Sequence, residues 1–556
     1  MTREEYIARF KHLDEQYRYA WLPLHEDISE YLLPRRGNFI DHGKPYEKNN
    51  VIRSTSILND TASRANRMLG SGMQGGLCSP SQRWFALTLK DKNMMMFGPV
   101  KDWLRKCEDI MYSVYATGNF YTEIHRVFEE QAGFGTAPII QEEDFDSVVN
   151  FTVFTAGEYR LASDRNNRVD TCYRHFWMTA DQIIKTFGEG NCSDSVKNAY
   201  KKTPFEYFEI LHCIEPNSKS DDSKADNTKM KYTSVWMEYQ DGGSKFLRQS
   251  GYTDNPLAVP RWTPVGNSPY GLGPGHDAIG NIKMLQQMEK SIVKAVHKEV
   301  DPPMAVSSKL KDVLSLLPGA TNWFDGDDSR FAVSPLLNIQ FNLHNAEDRI
   351  VAIESRIERT FYNDLFAMIV NADQHGRQIT ATEILERKQE KLVLLGPTVE
   401  RQTFELLQPI NSRTFNICLR LNMFPPPPPE LQGQALNIEY LGVLAQAQKL
   451  VKAQSMEAYL GEAERVLQLD PMTSVKTDWA AFLEQYADIL GVPSGIVRTE
   501  DQASILKQQI IQKQQEAEKA QQMQMAVAAM KDLGRADTTG GNVLSDVAEE
   551  ATNGSR

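Results

Sequence analysis

Between Asn59 and Leu77 small and apolar residues recur three or four apart, at Ala62, Ala65, Leu69, Gly72 and Gly76. That spacing predicts a helix with one closely packing face, and the residues before it also read as helices. Ser79-Pro80-Ser81 then marks a turn. Arg83 to Leu89 sets Phe85, Leu87 and Leu89 on one side, which predicts a strand. From Val148 the period is two. It predicts a strand to Phe154, a turn at Asp164 to Asn167 and a second strand from Val169 to Trp177. Thr179 and Gln182 have the spacing of a capping box, opening a short helix that ends at Gly188. Ser218 to Lys231 is polar and reads as an exposed loop, with more strand-like sequence to about Pro260.

The middle of the chain is the informative part. From His276 to about Glu299 the apolar Ile282, Leu285, Met288, Ile292, Val293 and Val296 share one helical face. Lys283, Lys290, Lys294 and Lys298 fall on the opposite face, within about 80° at roughly 100° per residue. A second amphipathic helix is predicted from about Asn345 to Val370, on Ala346, Ile350, Ile353, Ile357, Phe361 and Leu365. At about 24–26 residues each helix spans roughly 36–39 Å. Between them lies a small α/β insert: Asp301-Pro302-Pro303, a short strand, a helix over Lys309–Leu317, Pro318-Gly319, then Phe331 to Leu337. Two matched helices flanking a compact insert describe a hairpin that holds a small domain away from a mixed α+β body.

Past Val370 the segment Asn371 to Ile379 is polar, and Thr380 with Glu383 makes another capping box. The long helix it opens should kink at Gly396-Pro397 and end at the five prolines Pro425 to Pro429. Leu436 to Tyr440 reads as a strand and Leu441 to Leu490 as helical. Glu500 to Leu533 is a Gln-rich helix with a weak apolar seam (Leu506, Ile510, Ala517, Ala520, Val527), steadier against copies of itself. Residues 534–556 are small and polar and predict disorder.

Composition changes this picture in a few places. At 556 residues the chain exceeds one compact core. Its 61 Lys and Arg against 73 Asp and Glu give a net charge of −12. That argues against a tight nucleic-acid binder and is compatible with a passage through which DNA slides. The N-terminus lacks an apolar signal region, and no run of about 18 apolar residues suggests a membrane span. Six scattered cysteines without a CxxC pair read as buried, reduced thiols.

No site of catalytic chemistry stands out. There is no GxxxxGK[ST] loop or HExxH, and the ten histidines do not cluster with carboxylates. Gly271-Leu272-Gly273-Pro274-Gly275 before a helix admits a phosphate cradle, but a turn is the stronger reading. Glu142-Glu143-Asp144 admits a metal site, against which a solvated loop is preferred. The lysine stripe is either a plain solvent face or, if the helix lines a channel, a ring of positive charge. No cofactor or metal is expected.

In order along the chain, several stretches resemble the podovirus head-to-tail connecting (portal) protein family. They are Ser79-Pro80-Ser81-Gln82-Arg83-Trp84-Phe85, Gly135-Thr136-Ala137, Arg174 to Gln182, Pro260-Arg261-Trp262 and Tyr270 to Gly275. They continue with Val300-Asp301-Pro302-Pro303, Thr380-Ala381-Thr382-Glu383 with Arg387, and Leu444-Ala445-Gln446-Ala447-Gln448. The likeness runs from near residue 6 to about 450; the last hundred residues match only in being helical.

The resemblance implies a mainly helical α+β ring subunit, not an enzyme, usually in twelve copies at one capsid vertex of the virion, made in the host cytoplasm. It divides the chain into a wing (1–272 with the kinked helix and returning strand of 380–440), stem helices (273–300 and 345–370), a clip (301–344), a tunnel loop (371–379) and a helical crown (441–533). Implied partners are double-stranded DNA passing during packaging and ejection, the terminase large subunit, tail adaptor proteins, and the major capsid and scaffolding proteins, with no membrane. Candidate DNA-facing residues are Lys283, Lys290, Lys294, Lys298, Gln374, His375 and Arg377. Candidates for clip docking are Lys309, Lys311, Asp312, Asp325, Asp327 and Asp328. Two rivals stand beside it: a DNA-processing enzyme, for which no nucleotide or metal site is visible, and a structural tail or scaffold protein without a channel.

Overall fold

The structure is a computed structural model. It describes residues 2–39, 43–44, 57–89, 97–220, 226–240, 245–300, 304–305, 334–335, 343–370, 395–431 and 436–441, with scattered positions between 456 and 519. The predicted insert helix, Asn371 to Ile379, the capping box at Thr380 and most of the C-terminal helices lie outside these residues.

The chain opens with α1 (Arg3–Ala20) and α2 (Leu22–Tyr31), then α3 (Thr61–Leu77). In α3 the buried face is Ala62, Ala65, Asn66, Leu69, Gly70, Met73 and Leu77. β1 (Phe85–Leu89) alternates buried and half-buried as its pattern predicts. Two helices follow where the pattern suggested no element, α4 (Gly98–Thr117) and α5 (Phe120–Phe134). α5 is buried along Glu129 to Phe134 on every side, so no amphipathic stripe announces its end.

β2 (Ile139–Asp144) and β3 (Val148–Val153) form a hairpin, and β9 (Leu257–Ala258) adds to β2. A five-stranded antiparallel sheet runs in sequence order: β4 (Tyr159–Ser163), β5 (Val169–Thr179), β6 (Tyr207–Pro216), β7 (Tyr232–Glu238) and β8 (Arg248–Tyr252). Strand parity decides what covers each face. Tyr173, Leu211, Cys213, Val235 and Met237 meet Tyr6 and Phe10 of α1. Phe176, Phe208 and Ile210 face the other way, against α6 (Ala180–Phe187) and α7 (Asp194–Lys202). The capping box at Thr179 and Gln182 forms as predicted, and Gly188, at φ 80°, ends α6.

Past a short pair, β10 (Thr263–Pro264) with β11 (Gly271–Leu272), the chain enters α8 (Pro274–Val300), 27 residues long. Within the insert, β12 (Met304–Ala305) pairs antiparallel with β13 (Ser334–Pro335), where strands were expected. The return is not the single helix that periodicity predicts. α9 (Leu343–Thr360) stops, and α10 (Asn363–Val370) starts afresh. Tyr362 takes a positive φ of 56° at the break, with its ring 6.2 Å from that of Trp262 in the body. Residues 395–402 are helical, Thr403–Leu407 forms a π-helical turn, and α11 (Gln408–Arg420) completes the run. This run ends before the prolines, because Asn422 at φ 52° turns the chain and Met423 N–H bonds back to Cys418 O. β14 (Leu436–Tyr440) then pairs with β1 across the whole length of both.

One core joins α3, α4, α5, β1 and β3 to the roots of α8 and α9, to α10 and to the 395–420 helix. The hairpin is therefore continuous with the body at one end.

Candidate functional site

The hairpin of α8 and α9 is the feature the sequence singled out, and its root is built by close backbone approach. Gly135 ends α5 at φ 74°. An added methyl there would overlap the Gly271 carbonyl oxygen and lie 2.6 Å from Gly271 C and 2.8 Å from Gly273 N. One at Gly273 would sit 2.5 Å from Gln131 O, and one at Gly275 would sit 2.6 Å from Gly133 O. Gly271 N–H donates to Thr136 Oγ1 at 2.8 Å. The glycine-rich loop thus faces carbonyl acceptors at the end of α5. A phosphate needs N–H donors, so the cradle reading fails on chemistry.

His276 completes the helix start. It stands three residues after Gly273 and accepts the Gly273 N–H at Nδ1, 3.1 Å away, as the glutamate of a capping box does. Burial pushes its imidazole down to about 4. The His25 ring lies 5.9 Å away, fully buried among Tyr17, Trp21, Phe134 and Tyr270. Its Nδ1 is 2.9 Å from Tyr17 Oη, and burial, with His276 and Arg160 adding to it, holds its pKa well below the usual value. Both rings are therefore neutral at physiological pH.

Further along, a polar clamp holds the two helices to the body. Gln286 Oε1 accepts Leu58 N–H (2.7 Å) and Asn59 N–H (3.1 Å), while its Nε2 donates to Asn59 O (2.7 Å). Asn59 Nδ2 donates to Glu289 of α8 (3.0 Å) and to Glu354 of α9 (2.8 Å). One asparagine before α3 therefore bridges both helices. Sequence reasoning passes over these residues, since no local pattern links position 59 to 286 and 354.

Beyond the clamp the hairpin loses its cover. Ile282 and Leu285 are buried, Met288 and Ile292 are half-buried, and Val293 and Val296 are 48% and 38% exposed. On α9, Ile353 and Ile357 are buried but Val351 is 62% exposed. Lys290, Lys294 and Lys298 are exposed on this outer part of α8. Lys283 differs from them. It pairs with Asp27 of α2 at 2.6 Å and lies 5.4 Å from the centre of the Tyr31 ring, so its charge is already met within the chain. Lys309, Lys311, Asp312, Asp325, Asp327, Asp328, Gln374, His375 and Arg377 lie outside the described residues.

The other sequence candidates resolve as structural. Glu142 accepts from Tyr252 Oη (2.9 Å), Glu143 pairs with Arg420 (2.6 Å), and Asp144 accepts from Ser147. Among the described residues no group of three metal-ligating side chains comes together, and no helix is long and apolar enough to cross a membrane. All six cysteines are free and buried. Arg261, from the Pro260-Arg261-Trp262 stretch, is 4% exposed and reaches Glu405 of the π-helical turn (2.7 Å) and Asn167 O (2.8 Å). It ties the approach to the hairpin to the 395–420 helix.

Comparison with known proteins gives these features a family. The family model described as "Bacteriophage head to tail connecting protein" matches residues 3–497. A "Probable portal protein" of Bordetella phage BPP-1 is 34% identical over 535 residues, covering 95% of this chain and 95% of that protein. The "Portal protein" of Salmonella phage epsilon15 is 32% identical over 548 residues, covering 98% and 97%. A solved chain from the "Neck of empty GTA particle computed with C6 symmetry" covers 72% of this chain and 86% of its own at 10% identity, with a TM-score of 0.33 that is too low to bear on the fold. On the family match and the two full-length relatives, the chain belongs to the bacteriophage head to tail connecting protein family.

Proposed function

We propose that this chain is a portal subunit, one copy of a closed ring at the capsid vertex through which double-stranded DNA passes during packaging and ejection. Its role there is structural, not catalytic. The observation that carries the reading is the hairpin, clamped to the body at its root and bearing Val293, Val296 and Val351 uncovered further out. Apolar stripes of this kind are expected to be covered by neighbouring copies in a ring. In this reading 273–300 and 345–370 are the stem, 301–344 the clip, 371–379 the tunnel loop, 1–272 with 380–440 the wing, and 441–533 the crown. Lys290, Lys294 and Lys298 face the lumen, and Gln374, His375 and Arg377 meet passing DNA. Lys283 belongs to the stem's attachment instead, because Asp27 holds it.

The clip, with Lys309, Lys311, Asp312, Asp325, Asp327 and Asp328, docks the terminase large subunit. Tail adaptors, capsid and scaffolding proteins are the remaining partners, in a ring of twelve. Averaged end-on electron-microscope views, with light scattering over a concentration series, test the core of the reading. An open ring is expected. A strictly monomeric or dimeric particle overturns it, and a closed assembly without a channel favours a structural tail or scaffold role. Replacing residues 305–340 by a Gly/Ser connector should leave rings intact and abolish packaging. Crosslinking from position 375 in filled heads should reach DNA; crosslinks to capsid protein alone would place that loop outside the lumen.

A further inference from the structure

We infer that the π-helical turn at Thr403–Leu407 is a latched hinge in the 395–420 helix, held shut by Arg261 and coupled through Trp262 to the break at Tyr362 between α9 and α10. The inference concerns the fold of one chain and stands apart from the ring reading. The turn has a cause in the sequence. Pro409 follows it and has no N–H to give, and in a regular α-helix its ring would press on the carbonyl of Glu405, four residues before. Widening the turn relieves that overlap. Gln408 N–H bonds back to Thr403 O, five residues away, in place of the α-helical acceptor. One rung of the ladder is missing in either register. Helices bend where a proline or a π-turn interrupts them, and here the two stand side by side.

The two sides of this joint are held differently. Downstream, α11 is fastened along its length. Asn411 and Thr414 accept from Tyr115 Oη (2.6 and 3.0 Å), Arg413 donates to Gln141 O (3.1 Å) and Asp254 O (3.0 Å), and Arg420 pairs with Glu143 (2.6 Å). Upstream, Arg401 donates to Trp262 O (2.8 Å). Gln402 reaches Arg261 O only over 3.4 Å, and its own Oε1 is buried with no hydrogen-bond partner. The joint itself is gripped at Glu405, which accepts the Arg261 backbone N–H at Oε2 (2.9 Å) and the guanidinium at Oε1 (2.7 Å). Asn167 O and Oδ1 take other N–H groups of the same guanidinium (2.8 and 3.1 Å), so the fork is held in place for Glu405. These contacts converge on Arg261 and Trp262. The Trp262 ring lies 6.2 Å from that of Tyr362, whose φ of 56° is a state that persists where the surroundings hold it. A shift of that break therefore pulls on the latch.

The test reads the hinge in the full chain. Spin labels at Glu400→Cys and Ser412→Cys, both exposed, straddle the turn, and the native cysteines are all buried. Dilution with unlabelled chain removes distances between copies. Double electron–electron resonance should give one narrow distance for the parent. Glu405→Gln keeps the shape and loses the charge. It should shift or broaden that distance by roughly 3–4 Å, the travel of a label about 10 Å from a joint that bends by about 20°. Tyr362→Ala, on the far side of Trp262, should broaden it as well. Adding Pro409→Ala to Glu405→Gln supplies the missing N–H and should return the narrow distance, a rescue that a merely structural ion pair does not give. If Glu405→Gln loses its helical circular dichroism, Arg261→Lys takes its place, keeping the charge without the paired fork. A parent distribution that is already broad, or one that the latch variant leaves unchanged, overturns the latch. Failure of Pro409→Ala to narrow the distance overturns the hinge, and a Tyr362→Ala distribution identical to the parent's overturns the coupling. The readout does not depend on assembly, so a chain that never forms rings removes the ring reading and leaves the hinge standing.

Discussion

Replacing Gly135 by alanine tests how tightly the hairpin is rooted in the body. Gly135 holds φ 74°, where an L side chain costs about 1–2 kcal/mol. The new methyl also overlaps the Gly271 carbonyl and lies 2.6 Å from its carbon, against the 3.4 Å at which ordinary contact begins. What it meets is backbone, so no side-chain rotation relieves the overlap. Gly271 is pinned by Thr136 Oγ1 (2.8 Å), and Gly135 O accepts Trp262 N–H (2.9 Å). The loop leading into α8 must move by nearly an ångström or its hydrogen bonds must break. Together these cost about 3–5 kcal/mol, the upper range for a single substitution. At roughly 2–4 °C per kcal/mol, Tm falls by about 6–20 °C.

Differential scanning fluorimetry and a urea titration read the effect. Gly75→Ala and Gly280→Ala serve as controls, since both sit in helices with nothing within 4 Å of the added methyl. They should stabilise by about 0.5–1 kcal/mol. If Gly135→Ala melts within about 2 °C of the parent, the close approach does not hold the root and the reasoning is wrong.

Acid should loosen the same junction. His276, pushed down to about 4 from an unfolded value of 6.5, contributes stability that is whole above pH 6.5 and drains toward pH 4, about 3 kcal/mol in all. Glu130, raised to about 7 by burial despite Arg36, acts oppositely, stabilising as pH falls from 7 to 4.5; Glu130→Gln should therefore steepen acid destabilisation, and His276→Gln should flatten it, in Tm-against-pH curves. Arg261→Met strands Glu405 and should cost about 3–5 kcal/mol by chemical denaturation, whereas the double variant with Glu405→Leu should cost less. An equal cost would deny the pair its role. Changing Lys290, Lys294 and Lys298 together to Glu should spare ring assembly and alter the salt dependence of DNA retention in filled heads, while Lys283→Met should shift stability by no more than about 1 kcal/mol. A triple variant identical to the parent would take those lysines out of the lumen.

Periodicity by itself determined most elements that have one apolar side: α3, the β1 strand, β3, β5, α8 and the boundaries of α6, where the cap signal of Thr179 and Gln182 is local. It also determined that two amphipathic helices bracket an insert. Helices α4 and α5 are not among the elements read from it, although α4 buries Val100, Trp103, Leu104, Cys107 and Met111 on one face and the first half of α5 buries Phe120, Ile124, Val127 and Phe128; only the end of α5, Glu129 to Phe134, is buried all round and carries no stripe. Only tertiary structure decided the break at Tyr362, which occurs where the returning helix reaches Trp262 and no residue nearby forbids a helix. The same holds for the lysines. Helical spacing makes Lys283 equivalent to Lys290, Lys294 and Lys298, and the arrival of Asp27 on α2 separates it from them. The clamp through Asn59, Gln286, Glu289 and Glu354 and the His25–His276 contact join segments more than two hundred residues apart. A sequence pattern records the faces that burial imposes within one element; which element covers each face is settled by the packing of the whole chain.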